Sequence, residues 1–534
     1  MKKTLFLSLF LSACFATTAA CGLHTAFAAE PDVEAKAAEV AAKLGSGPIM
    51  GLNLAGVCDW NTELPFVDVF RETRAWVSQR EGASWGQGPE LELDESGWIR
   101  KLDEGCFAEV PLCTIEGGHY PAGVYTVVYE GEGKLEFGFS NVKVVEETPG
   151  RVLIDVTPEN GSFWLRLKKT NPENYVRNIH VYLPGYGSEE SREECGIWNP
   201  IFLERWSSMK IFRTMDWQAT NGSNLKTWSE RPLPTDSVYS RAGLPYEVIC
   251  DFIERTDADL WICVPDQADD DFIHNLAQLL KDNLSEKKRI YLEYSNEVWN
   301  GSFTQNHRAA EKGHALKEGC ADWEAAWLYT AHRSVEMFKI FEEVFGGDER
   351  IIRILPSQAA NPWVSEQILA FEDAWRHADV LAIAPYAGLS VSAEDKDKIV
   401  ALGMDGVLDM MEEKILPETI DMMKKQKEVA DRFGLGLVSY EAGQHLVGLW
   451  VANDDENLNN ILIGANRTER MGALYEKYYQ AWEEIGGGAI CHFSSVGKWS
   501  KWGSWGLIEY YDETPDDSPK YKATLKYAEK FNKR

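Results

Sequence analysis

Short apolar runs alternate with amphipathic stretches along most of the chain, and one long segment breaks that rhythm. Residues 49–55 form an almost unbroken apolar run, the pattern of a strand buried on both faces. Before it, residues 33–44 carry helical spacing and stop at Gly45; after it, residues 64–79 place Phe66, Val69, Phe70 and Val77 at helical intervals. From about residue 82 to 187 the period drops to two. Runs at 123–130, 134–140, 142–146, 151–156 and 162–168 are separated by Gly-, Pro- and Asn-containing turns, which predicts an antiparallel β-sandwich. Beyond 187 the first rhythm returns. Strands are predicted at 209–215, 259–264, 289–295, 351–355, 380–384, 437–440 and 488–493, with helices at 199–208, 245–255, 271–284, 323–345, 364–375, 417–433, 468–485 and 519–531.

With 49–55 as the first, these are eight strands, each followed by a helix. Repeated β/α units predict a parallel sheet, and eight of them a closed (β/α)8 TIM barrel of the α/β class. An open doubly wound sheet is disfavoured because no Gly-x-Gly-x-x-Gly turn follows any strand. The expected organisation is a signal peptide at 1–28, the first part of the barrel at 29–81, an inserted all-β sandwich-like domain at 82–187 between barrel strands one and two, and the remainder of the barrel at 188–534.

The ends of the predicted strands carry the candidate chemistry, because barrel active sites form at the C-terminal rim. The fourth strand closes with Glu293-Tyr294-Ser295-Asn296-Glu297, and period-two alternation puts Glu293, Ser295 and Glu297 on one face. The seventh closes with Tyr440-Glu441-Ala442. Strands four and seven face each other across an eight-stranded mouth, so Glu297 and Glu441 are expected in opposition. Two opposed carboxyls, one protonated and one ionised, are what cleavage of a glycosidic bond requires.

Asn-Glu ending strand four with a second Glu ending strand seven resembles clan A of the glycoside hydrolases, and Glu293-x-x-Asn296-Glu297 is similar to the pattern of family 5. That resemblance implies Glu297 as general acid/base and Glu441 as nucleophile in a retaining mechanism, with Asn296 on the sugar 2-hydroxyl, Arg213 beside the nucleophile and Tyr386 bonding it. Trp217, Trp299, His445, Trp499 and Trp505 complete the expected substrate-binding set, with Trp502 an alternative platform. Val298 stands where the clan usually has Pro, and no His ends strand three. The segments 213–217, 268–270 and 293–300 look like those of a group of secreted bacterial barrel proteins. The function implied is hydrolysis of a β-linked polysaccharide or oligosaccharide, such as a β-glucan attacked internally; the rival is a barrel that binds carbohydrate without cleaving it.

Composition narrows the partners. A net charge of −30 disfavours nucleic acid, whose phosphates need a basic face, and makes an acidic polymer a poor substrate. Twenty tryptophans mildly favour a carbohydrate partner, whose flat C–H faces stack on indole. Met1-Lys2-Lys3, an apolar stretch and Ala26-Phe27-Ala28 read as an export signal, with lipid anchoring at Cys14 or Cys21 as the rival reading. The expected location is outside the cytoplasm: secreted, periplasmic or lipid-anchored at the cell surface. No later stretch has the length of a membrane span. Cys106 and Cys113 are the most local candidate disulfide. No spacing suggests zinc, and the chemistry needs no cofactor. Asp266, Asp269 and Asp270 are expected to cap the helix that follows them, His332 to pack within its helix, Lys424, Lys425 and Lys427 to face solvent, and His492 to share with His445 the choice between cleft wall and core.

Overall fold

The computed structural model describes residues 31–138, 142–158 and 161–532. The export signal, Cys14 and Cys21 lie outside the described residues. Eight parallel strands close into a barrel in chain order: Ile49–Asn53, Ile211–Arg213, Asp259–Val264, Ile290–Tyr294, Ile351–Pro356, Val380–Ile383, Gly436–Ala442 and Ala489–His492. The expected TIM barrel is therefore the observed architecture. Side chains fill its interior, among them Ile211, Trp261, Cys263, Tyr291, Ile354, Val438, Tyr440 and Cys491. Gly51 is needed where strands one, two and eight converge, since a Cβ there would meet Cys491 Sγ at 2.6 Å. A second core lies between the barrel and its helices.

Between strands one and two the chain forms two four-stranded antiparallel sheets. One orders Val77–Arg80, Cys106–Leu112, Phe163–Thr170 and Gly133–Gly138; the other orders Arg177–Tyr182, Gly123–Glu130, Arg151–Val156 and Val142–Thr148. Inward residues of both, such as Val110, Leu165, Tyr125, Val127 and Ile154, share one apolar cluster.

Three expectations are corrected. Residues 64–79 do not form a helix: they hold a short 3₁₀ turn, Val69–Glu72, and the strand Val77–Arg80. Phe66 and Phe70, one helical turn apart in spacing, serve different cores, Phe66 the barrel's and Phe70 the sheets'. The backbone between them spends its hydrogen-bonding groups on bridges to Trp198 and Tyr182. The first strand thus has no helix directly behind it. The Cys106–Cys113 disulfide is absent, because the two thiols stand at opposite ends of a seven-residue strand, roughly 20 Å apart when extended. Helices Thr304–Gly313, Lys396–Met410 and Glu456–Asn466 were not anticipated.

At the N-terminal end of the barrel, Glu39, Asp348 and Asp379 converge closely enough to hold a metal, the one such group among the described residues. Arg353 and Lys43 already occupy them, at 2.6 and 2.8 Å from Asp379. No helix among the described residues is long and apolar enough to cross a membrane.

Candidate active site

Both glutamates reach the barrel mouth through departures from regular strand geometry. Strand four ends at Tyr294, so the alternation expected to align Glu293, Ser295 and Glu297 stops short. Glu293 points into the barrel, fully buried, but Ser295 and Glu297 take left-handed backbone angles, φ 56° and 44°. Such angles cost an L-residue of order 1–3 kcal/mol and persist only when surroundings hold them. Here Gln305 Nε2 donates to the Asn296 carbonyl at 2.9 Å and Asn306 Nδ2 to that of Val298 at 2.7 Å.

Strand seven uses a bulge. Ser439 pairs with Ile490 but Ala442 with His492, three steps against two. Val438 and Tyr440 point into the barrel, so strict alternation would send Glu441 outward among the helices. The extra residue lets both Tyr440 and Glu441 enter the mouth. Asn53 Nδ2 pins the Tyr440 carbonyl at 2.8 Å, and Ser439 Oγ pins that of Glu441 at 2.7 Å.

Arg213, fully buried, organises the floor. Its five N–H groups make five bonds: Nε and Nη2 to Glu293 at 2.9 and 3.1 Å, Nη1 to Glu441 Oε1 at 3.0 Å and Asn53 Oδ1 at 3.0 Å, and Nη2 also to Asn296 Oδ1 at 2.7 Å. Burial opposes its charge, but Glu293 and Glu441 beside it outweigh that and hold it protonated. Glu293 also accepts from Trp261 Nε1 at 2.7 Å.

The two glutamates differ in their partners. Glu441 Oε2 accepts from Tyr386 Oη at 2.9 Å, so this carboxylate is held by a cation and a phenol. Glu297 receives none of the guanidinium donors; Asn300 Nδ2 reaches it at 3.0 Å and Tyr440 Oη at 3.2 Å, the latter in turn accepting from Trp299 Nε1 at 3.1 Å. Burial, then the charge of Glu441, push the Glu297 carboxyl well above the ordinary range. Burial also raises Glu441, but Arg213 and Tyr386 pull it back, so Glu441 ionises first.

Both carboxyls wall a cavity of about 460 Å³ with Asn296, Asn221, Asp216, Trp60 and Trp505. Burial lifts Asp216 to about 6, against the pull of Arg213. One edge comes from the sheet segment, where Glu116 meets Lys498 of the loop after strand eight.

The remaining candidates divide. Trp505 lines the cleft, its indole N–H donating to His445 Nδ1 at 3.2 Å and its ring stacked on that imidazole. His445 lies behind it, and burial depresses its pKa to about 4, so the ring is neutral. Trp299 is half-buried and acts on the site through Tyr440. Trp217 is corrected: it is fully buried, stacked on Trp198, with its N–H on the Ala55 carbonyl. Trp499 is corrected too, being 4% exposed with its N–H on Gly506. Neither offers a face to a sugar. Asp269 caps its helix on the Phe272 amide, whereas Asp266 pairs with Arg308 and Asp270 with Arg333. His332 is half-buried between Glu336 and Glu372. His492 is fully buried, and burial drives its pKa to about 3.

Sequence reasoning missed Trp60, Asp216, Asn300 and Tyr440. Trp60 and Asp216 follow strand ends one and two and were findable by the rim rule that singled out the glutamates. Tyr440 was hidden by the bulge.

No protein-family model and no curated protein matches the chain. Among solved structures it is similar to a 4-O-α-L-rhamnosyl-β-D-glucuronidase from Fusarium oxysporum, at 12% identity and TM-score 0.36, covering 61% of this chain and 63% of that one, less than two thirds of its length. It is also similar to an endo-1,4-β-D-mannanase from Thermotoga petrophila, at 12% identity and TM-score 0.36, covering 62% of this chain and 94% of the other. A broad-specificity endoglucanase from an uncultured bacterium is similar at 11% identity and TM-score 0.33, covering 62% and 83%.

Proposed function

We propose that this protein is a retaining glycoside hydrolase that cleaves a β-linked polysaccharide or oligosaccharide outside the cytoplasm. The observation that carries the reading is the pairing of two desolvated glutamates in one cleft with unlike partners: Glu441 on Arg213 and Tyr386, Glu297 on neutral donors alone. A carboxylate kept ionised by a guanidinium is a nucleophile; a carboxyl whose proton is retained by burial is a general acid.

In this mechanism Glu441 attacks the anomeric carbon while Glu297 protonates the departing glycosidic oxygen. The covalent glycosyl-enzyme is then opened by a water that Glu297, now a base, deprotonates. Asn296, fixed between Arg213 and Asn221 Oδ1, bonds the 2-hydroxyl of the sugar. Trp505 supplies a ring for the same sugar to stack upon. Substrates are neutral at this position, because Asp216, Glu297 and Glu441 leave no welcome for a uronate.

The test is release of reducing ends from a panel of β-glucans, β-mannans and xylans. Wild type is expected to cut at least one of them, and Glu441→Gln to release nothing while still binding that polymer. Binding without product by wild type on every polymer would overturn the proposal in favour of a non-catalytic carbohydrate-binding barrel.

A further inference from the structure

The surface carries a second aromatic cluster away from the cleft walls. Trp323, Trp327 and Trp363 come together, with ring centroids 4.7, 5.7 and 5.9 Å apart. Trp327 forms the base, 8% exposed, while Trp323 and Trp363 stand 47% and 45% exposed. Indole that open to water is unfavourable by its apolar area, and a cluster of it marks a contact surface. Beneath them, the buried Trp327 N–H finds no acceptor among the described residues.

The fold says where this cluster faces. Trp323 and Trp327 open the helix Asp322–Phe345, which runs from strand four to strand five; Trp363 opens Pro362–Ala370, which leads away from strand five. A helix joining parallel strands runs antiparallel to them, so its first turns stand at the C-terminal rim, the rim that carries Glu297 and Glu441. The other exposed aromatic side chains repeat the bias. Trp60, Trp450 and Trp502 lie on the loops after strands one, seven and eight, and among the described residues Trp85 alone belongs to the sheet segment. With Trp323 and Trp363 these make six exposed aromatic side chains among the described residues, and all six are tryptophans.

We infer that Trp323, Trp327 and Trp363 form a secondary binding platform for a neutral β-linked polysaccharide, holding a stretch of the polymer on the rim while another stretch lies in the cleft. The inference rests on the reading of the cleft as a glycosidase site. A glycan is the occupant because its flat apolar faces match rigid indoles, its hydroxyls offer acceptors, and it carries no charge. A second copy of this chain is opposed by the −30 charge on each and by Asp322 and Glu324 flanking the patch. The chain continuing from the cleft is already on this face, so its local concentration at the platform is high.

Native gels cast with mixed-linkage β-glucan, galactomannan or arabinoxylan test this. Wild type and Glu441→Gln should be retarded equally in at least one gel. Trp323→Ala/Trp363→Ala should lose retardation, each indole being worth roughly tenfold in affinity, and Trp323→Tyr/Trp363→Tyr should recover part of it. Both side chains are surface residues, and circular dichroism of the double variants verifies their fold. Hydrolysis of short oligosaccharides by the alanine variant should stay at the wild-type rate while attack on the polymer slows. Retardation unchanged in the alanine variant overturns the platform. So does the absence of retardation of wild type in every gel, or a wild-type dimer in sedimentation that the alanine variant dissolves. Loss of hydrolysis with retention of the tryptophan-dependent retardation would sink the glycosidase reading and leave the platform standing.

Discussion

Replacing Arg213 with Met removes the buried cation from beneath a site holding several acids. The guanidinium sits 3.0 Å from Glu441 Oε1 and bonds Glu293 through two nitrogens. For charges roughly 4 Å apart in an effective dielectric of about 20, the attraction is about 4 kcal/mol, or about three pKa units at 1.36 kcal/mol each. Water entering the vacated space and relaxation of Tyr386 toward the carboxylate reduce that, so the Glu441 pKa should rise by at least about one unit. The sign is set by which form Arg213 favours. It stabilises the ionised carboxylate, so its loss shifts ionisation to higher pH, and the acidic limb of kcat/KM moves alkaline. Breaking a buried pair also costs about 3–5 kcal/mol of stability, so circular dichroism must accompany the kinetics. Arg213→Lys separates charge from geometry: it keeps the cation but loses the fork, and should lower the rate while leaving the acidic limb near its wild-type position. The assay is kcat/KM from pH 4 to 9 on the best substrate of the panel. A folded Arg213→Met with the wild-type acidic limb would refute the assignment of Arg213 as the group that holds the nucleophile ionised.

Glu297→Gln should slow polymers, whose leaving groups need a proton, by about 10²–10⁴-fold, and activated aryl glycosides far less; equal losses on both would count against the acid/base role. Glu63, buried beneath the first strand's loop and bonded by Trp206 Nε1 and Ser495 Oγ, is raised by burial from 4.5 to about 7. The stability tied to its proton is present below pH 4.5 and lost as pH rises through 7, about 3 kcal/mol over that interval. Glu63→Gln should therefore flatten the fall in urea midpoint between pH 5 and 8; an unchanged slope would show that Glu63 does not carry it.

The barrel was legible because buried parallel strands are continuous apolar runs, and nothing else in the chain mimics them at that spacing. The strand Asp259–Val264 was read to the residue, and the other barrel strands were located to within a few positions. What failed were inferences of direction. Residues 64–79 carry helical spacing because they feed two cores from one extended segment, a property of tertiary placement that periodicity cannot carry. Trp217 and Trp499 follow rim strands in sequence yet turn inward, since a rim position says nothing of a side chain's heading. Glu293, Ser295 and Glu297 were aligned by assuming an extended backbone through Ser295, where the chain instead turns left-handed. The two glutamates meet in one cavity all the same, through a turn and a bulge that the amino-acid pattern does not announce.

Why those two irregularities sit where they do follows from counting charges. Glu293, Glu297, Glu441 and Asp216 crowd a desolvated mouth in which Arg213 is the one buried cation among them. Four ionised carboxylates cannot share one positive charge in a low-dielectric space, so at least one proton must stay. Arg213 spends two nitrogens on Glu293 and one on Glu441, and none on Glu297. A regular strand seven would turn Tyr440 inward and Glu441 outward, whereas a regular strand four would carry Glu297 on the same inward face as Glu293. The bulge brings Glu441 within reach of the cation; the left-handed turn sets Glu297 beyond it, against Asn300 and Tyr440, where only neutral donors are available. The proton that must be kept therefore settles on Glu297. In the proposed mechanism, acid and nucleophile are distinguished by the backbone, which delivers two identical side chains to unlike surroundings.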